Sequence, residues 1–143
     1  MTNLSELDLS WNQLTSEAES LTRLTNLSRL HLSFNQLKSL PEYISTMTNL
    51  SELDLTCNEL ANLPEAITSL TNLSGLYLGW NKLISLPEAI TSLTNLSEVD
   101  LYENPLEDPP IEIAEQGIDA IREYFRQKQA GEDKPISSQK CVG

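Results

Sequence analysis

The sequence predicts an α/β solenoid: a right-handed coil of repeats with a parallel sheet on its concave side, short helices on its convex side and a C-terminal capping helix. Three observations predict it. A leucine recurs every 23 residues, at Leu4, Leu27, Leu50, Leu73 and Leu96. Each opens the pattern L-x-x-L-x-L-x-x-N-x-L, with Val99 in one leucine place. The pattern then stops at Pro109-Pro110, and an amphipathic run follows.

The L-x-L part of each copy alternates as a strand does, leucines inward and the intervening residues outward. One repeat cannot bury its apolar side alone, whereas stacked repeats can. Leu7, Leu30, Leu53, Leu76 and Val99 form one inward stack, and Leu9, Leu32, Leu55, Leu78 and Leu101 form the next. Burying one leucine contributes about 1.5–3 kcal/mol, so these positions hold while the outward ones drift.

Asn12, Asn35, Asn58, Asn81 and Asn104 make a third column, where the chain turns out of each strand. An amide has donors and an acceptor, so stacked asparagines can satisfy backbone groups left inside the turn. The return path of the middle copies reads SLPEYISTMTN, NLPEAITSLTN and SLPEAITSLTN. A short helix or 3₁₀ segment is expected on the convex side from about Pro41, Pro64 and Pro87, since proline suits a first turn. Leu40, Ile44 and Met47, with their equivalents, would point into the core.

The first copy departs from this, with Glu17 where Leu40 and Leu63 stand and Ala18 in the proline place. Met1-Thr2-Asn3-Leu4 aligns with Met47-Thr48-Asn49-Leu50, so the chain opens at the end of a repeat with an uncapped edge. Such an edge invites pairing. Two explanations stand: a longer array, or self-association through the N-terminal edge. At the other end, Pro109 and Pro110 begin a helix in which Ala114, Ile118, Ile121 and Phe125 share one face, with Tyr124 beside them. Glu112, Glu115, Asp119 and Glu123 take the opposite face. The expected organisation is five repeats over 1–106, a helical cap over 107–130 and a disordered polar tail over 131–143.

The repeats resemble the leucine-rich repeat family, whose period runs from roughly 20 to 29 residues. A narrower resemblance lies in N-P-L-x-x-P-P-x-E-I-x-x-x-G-x-x-A-I-x-x-Y-F, Asn104 to Phe125. It is similar to the end of the repeat array in Roco proteins, cyanobacterial ones especially. That resemblance implies a parent architecture in which a Ras-like GTPase domain and a dimerising domain follow. A phosphate-binding loop needs G-x-x-x-x-G-K-[ST]. The chain has no such string, so no nucleotide-binding residue carries over.

Charge narrows the partners. The net charge is −12, and Lys+Arg number 9 in 143 residues. Phosphate backbones demand clustered cations, so nucleic acid is not an expected partner, nor is an anionic membrane surface. No apolar run approaches a membrane span. The first ten residues, MTNLSELDLS, show no basic and apolar leader pattern. Cys57 and Cys141 are too few for a disulfide framework or a zinc site. A reducing, cytoplasmic setting is expected, with no cofactor and no metal.

Function belongs to the outward columns. One is Glu6, Arg29, Glu52, Gly75, Glu98; the next is Asp8, His31, Asp54, Tyr77, Asp100. Then come Ser10, Ser33, Thr56, Gly79, Tyr102, and last Trp11, Phe34, Cys57, Trp80, Glu103. Aromatic residues are enriched in binding hot spots. Acidic columns steer a basic partner. The expected contact residues are Trp11, His31, Phe34, Asp54, Tyr77, Trp80, Asp100 and Tyr102, with Gly75 and Gly79 leaving Tyr77 and Trp80 uncrowded. His31, flanked by Asp8 and Asp54, is better explained by a cross-strand ion pair than by catalysis. The expected function is recognition of a protein or peptide on the concave face. The alternative is the regulatory region of a larger Roco-type GTPase, again without catalysis in this chain.

Overall fold

A computed structural model describes residues 5–10, 26–40 and 42–133. Five three-residue strands stand in sequence order: β1 Glu6–Asp8, β2 Arg29–His31, β3 Glu52–Asp54, β4 Gly75–Tyr77 and β5 Glu98–Asp100. Every adjacent pair is parallel. The register equals the repeat, so Leu7, Leu30, Leu53, Leu76 and Val99 lie side by side as the sequence predicts.

The convex segments are 3₁₀ turns, Glu42–Thr46, Glu65–Ser69 and Glu88–Ser92. Pro64 and Pro87 stand at the N-caps of the last two in extended conformation. Pro41 lies outside the described residues, as do Met1–Leu4, Trp11, Asn12, Glu17 and Ala18. The core is one aliphatic cluster that runs the length of the stack. Leu30, Leu53, Leu76, Ile44 and Met47 are wholly buried within it.

Two ladders of side-chain hydrogen bonds tie the repeats together. Asn58 Nδ2 donates to the Leu32 carbonyl of the preceding repeat at 3.0 Å and to Leu55 of its own at 2.9 Å. Its Oδ1 accepts the Leu37 N–H at 3.1 Å. Asn81 and Asn104 repeat the scheme, with Oδ1 accepting from Leu60 and Leu83. Among the described residues no buried side-chain polar atom lacks a partner. The second ladder is serine. Ser28, Ser51, Ser74 and Ser97 each donate from Oγ to the carbonyl 23 residues earlier.

The cap is two helices rather than one: α1 Ile111–Ala114 and α2 Ile118–Asp133. Gly117, at φ +108°, breaks the run, in a left-handed conformation that glycine adopts without the usual penalty. Ala114, Ile118, Ile121 and Phe125 are buried as predicted, on the last repeat. α2 passes Gly131 and ends at Asp133, beyond the boundary expected at residue 130. A single helical glycine costs about 1 kcal/mol and does not by itself stop a helix. Residues 134–143 lie outside the described residues.

Arg122 fastens α2 to the solenoid. Its Nη2 donates to the Leu93 carbonyl at 2.8 Å and to Leu96 at 3.2 Å. Asp108 accepts from Tyr124 Oη and from Lys128 Nζ, and both bonds hold its carboxyl below the ordinary carboxylate range. Arg122→Met keeps the stem and removes the guanidinium. It is expected to lower stability by about 2 kcal/mol, the scale of hydrogen bonds from a charged group. Urea unfolding followed by circular dichroism measures the loss.

Candidate protein interface

The outward columns converge on the concave sheet in the register read from the sequence. Glu6, Arg29, Glu52, Gly75 and Glu98 are cross-strand partners, and so are Asp8, His31, Asp54, Tyr77 and Asp100. The aspartates also serve the backbone. Asp54 Oδ1 accepts from the Thr56 N–H at 3.0 Å and from Thr56 Oγ1 at 2.7 Å, while Asp100 Oδ1 accepts from the Tyr102 N–H at 3.1 Å. Asp8 does the same for Ser10 at 2.9 Å. That bond, with the Ser10 hydroxyl and His31 nearby, pulls the Asp8 carboxyl below its ordinary value. These aspartates close Asx turns where the strands end.

His31 makes a cross-strand side-chain hydrogen bond, but with Glu6. Its Nε2 lies 2.9 Å from Glu6 Oε2 on the diagonal, although Asp8 stands opposite. Asp8 is occupied by Ser10, which leaves the longer glutamate to reach the ring. Ser33, expected outward, is buried, and its hydroxyl donates to Ser10 Oγ at 2.8 Å. Among the described residues no three His, Cys, Asp or Glu side chains gather as metal ligands would.

Tyr77 departs from the sequence expectation. Gly75 does not leave its ring free; the ring fills the glycine's place. A Cβ on Gly75 would stand 2.8 Å from Tyr77 Oη. That hydroxyl donates to Glu98 Oε1 at 2.7 Å. The bond to Glu98, then burial, then the charges of Glu98, Glu52 and Asp54 push the phenol up to about 12 from its ordinary 10. The fold favours the neutral phenol, so the stabilisation is complete below pH 10 and disappears as pH rises through about 12. In a phenolate absorbance titration, Tyr77→Phe is expected to delete a transition near 12 while the fold at neutral pH survives.

The aromatic column does project. Trp80 is 58% exposed, Tyr102 61% and Phe34 39%. The Trp80 N–H donates to the Tyr102 carbonyl at 2.7 Å, which sets the two residues on neighbouring repeats. Phe34, Cys57, Trp80 and Glu103 all sit at φ between 57° and 60°, the left-handed region. The backbone there is bound into the turn beneath the asparagine ladder, so the side chain on top is free to vary. Trp11 lies outside the described residues.

Ile84, 52% exposed, escaped the sequence reading. It stands where Lys38 and Ala61 stand in earlier repeats, and that contrast was its signal. A groove of about 240 Å³ was missed as well. It lies along β5, lined by Val99, Leu101, Ala114, Tyr77 and Tyr102 and by the carboxylates of Glu98, Asp100 and Glu115. It depends on where the cap comes to rest, which no single motif announces.

Known proteins agree with this geometry. A family model described as a leucine-rich repeat region matches residues 1–116. A leucine-rich-repeat protein of Leptospira interrogans is 32% identical with a TM-score of 0.65, covering 80% of this chain and 35% of that one. Internalin C2 of Listeria monocytogenes is 31% identical, TM-score 0.67, covering 75% and 46%. Internalin InlF of the same bacterium is 27% identical, TM-score 0.64, covering 76% and 31%. The chain thus spans less than half the length of each. No curated protein matches it. Among the described residues no helix is long and apolar enough to cross a membrane. The repeats and their structural neighbours mark a protein-interaction module in general terms. From its periodic sequence, its register and its family match, the chain belongs to the leucine-rich repeat family.

Proposed function

We propose that the concave face binds a partner protein or peptide and that the chain carries no catalysis of its own. The observation that supports this best is the exposure of Trp80 and Tyr102 on adjacent repeats of an otherwise acidic face. Neither ring serves the core, and large amphipathic rings in the open are the side chains that anchor interfaces. Asp54 and Asp100 share the face, on either side of Tyr77, and steer a basic partner. His31 and Phe34 extend the face toward the N-terminal repeats. Tyr77 contributes the flank of a ring already held by Glu98.

The experiment is capture from native lysate with the wild-type chain and a Trp80→Ala/Tyr102→Ala variant side by side. Loss of the captured protein in the variant alone supports the reading. Equal capture by both moves the interface away from the concave face.

The finer context is a Roco-type protein, in which this chain is the regulatory region beside a GTPase in the cytoplasm. The segment Asn104–Phe125, which contains α1 and the start of α2, favours it by its sequence resemblance. A coding frame that runs on past residue 143 into a phosphate-binding loop supports that context; a frame that runs into an unrelated domain removes it.

A further inference from the structure

β5 is an outer strand of the sheet. In each earlier repeat the backbone facing the next repeat is bonded to it. Leu9, Leu32, Leu55 and Leu78 donate their N–H groups to the following strand, and Phe34, Cys57 and Trp80 do so just after it. The carbonyls of Ser5, Ser28, Ser51 and Ser74 accept from the following repeat. The equivalents in the last repeat are the Ser97 carbonyl and the N–H groups of Leu101 and Glu103. Among the described residues they have no following strand to meet.

The cap does not close this edge. The groove of about 240 Å³ runs along it, walled by α1. It is lined by apolar Val99, Leu101 and Ala114, by the rings of Tyr77 and Tyr102, and by three carboxylates, Glu98, Asp100 and Glu115. Small-molecule pockets usually measure roughly 300–1,000 Å³, so this one suits a side chain better than a whole ligand. An apolar and aromatic lining with three carboxylates fits the stem and head of lysine or arginine.

We propose that the free edge of β5 takes an extended basic segment of a partner protein as a sixth strand, with one lysine or arginine of that segment lying in the groove. Strand addition uses main-chain hydrogen bonds for affinity and side-chain pockets for choice. The three carboxylates make the choice by repelling acidic strands. A second copy of this chain would offer β1, whose Glu6 and Asp8 carry the wrong sign. The proposal rests on the reading of the chain as a protein-binding module and gives that module a second contact beside Trp80, with Tyr102 common to both.

The test uses three probes on the purified chain: a peptide of alternating valine and lysine, the same peptide with glutamate for lysine, and the lysine peptide methylated at alternate backbone nitrogens. The lysine peptide is expected to bind and to slow amide exchange at Leu101 and Glu103 by about tenfold or more. The glutamate peptide is expected not to bind, and methylation to weaken binding by about tenfold through lost backbone bonds. Glu115→Lys, at an exposed position that leaves the core untouched, is expected to weaken the lysine peptide similarly. Failure of the lysine peptide to bind overturns the proposal. So does binding that leaves Leu101 and Glu103 exchange unchanged, or protection of those amides by self-association without peptide. If Glu115→Lys retains a captured partner that Trp80→Ala alone loses, the edge proposal falls and the concave-face reading stands; Trp80 is outside the groove, whereas Tyr102 lines it.

Discussion

Asn81→Ala is expected to lower stability by about 3 kcal/mol, and the melting temperature by on the order of 10 °C for a chain of this size. The cause is more specific than a lost side chain. The leucine carbonyls at the inner turns are bonded twice. Leu55 accepts from Asn58 and Asn81, and Leu78 accepts from Asn81 and Asn104. Removing Asn81 therefore leaves both carbonyls with one donor. What it orphans is the Leu60 N–H, a buried donor whose acceptor is Asn81 Oδ1 at 3.0 Å. Leaving one such group unsatisfied costs about 1–3 kcal/mol, and the void adds to it. Asn81→Asp is the sharper probe. It restores an acceptor for Leu60 but sets a buried carboxylate against three carbonyl oxygens, so it is expected to be worse than alanine. Thermal melts of the three chains rank them. An aspartate variant more stable than the alanine variant would place the weight on the Leu60 bond alone.

Trp80→Ala/Tyr102→Ala is expected to weaken a partner bound on the concave face by about a hundredfold or more. Two buried hot-spot aromatics commonly contribute 2 kcal/mol or more each, and about 1.4 kcal/mol is a factor of ten. The same change should move stability by no more than about 1 kcal/mol, because both rings are more than half exposed. The separation between these two effects makes the variant informative. Dissociation constants with the captured partner, set beside urea melts, measure both. A loss of affinity that tracks a loss of stability would return the two rings to a structural role.

The fold was legible because periodicity is redundant. Each of five copies states the same inward and outward assignment, and the strand register follows from the 23-residue spacing. The asparagine column was legible for the same reason. The cap was legible in its apolar face but not in its break, because the break is the φ of one residue, Gly117, inside a run whose apolar spacing continues on both sides. The site was half legible. Column membership came from spacing, and Trp80 and Tyr102 project as that spacing implied. Rotamers did not come with it. Spacing assigns Tyr77 to the face, but the lack of a side chain at Gly75 draws its ring down and Glu98 holds its hydroxyl. His31 chose Glu6 over Asp8 because Ser10 had already engaged the aspartate. Such competition among neighbours is invisible to a column.

The asparagine ladder also lacks an address. Every rung joins the same atoms at the same offsets, so the bonds of Asn81 to its preceding repeat could be made equally by Asn104 to that repeat. Excising one 23-residue unit would leave every donor with an acceptor of the same kind. The scaffold therefore has no internal ruler. Array length can change by whole units without a new kind of junction, although each unit lost takes its buried leucines and one interface with it. What such an event would change is the spelling of the exposed face, where Arg29, Tyr77 or Trp80 would vanish or recur as a whole letter.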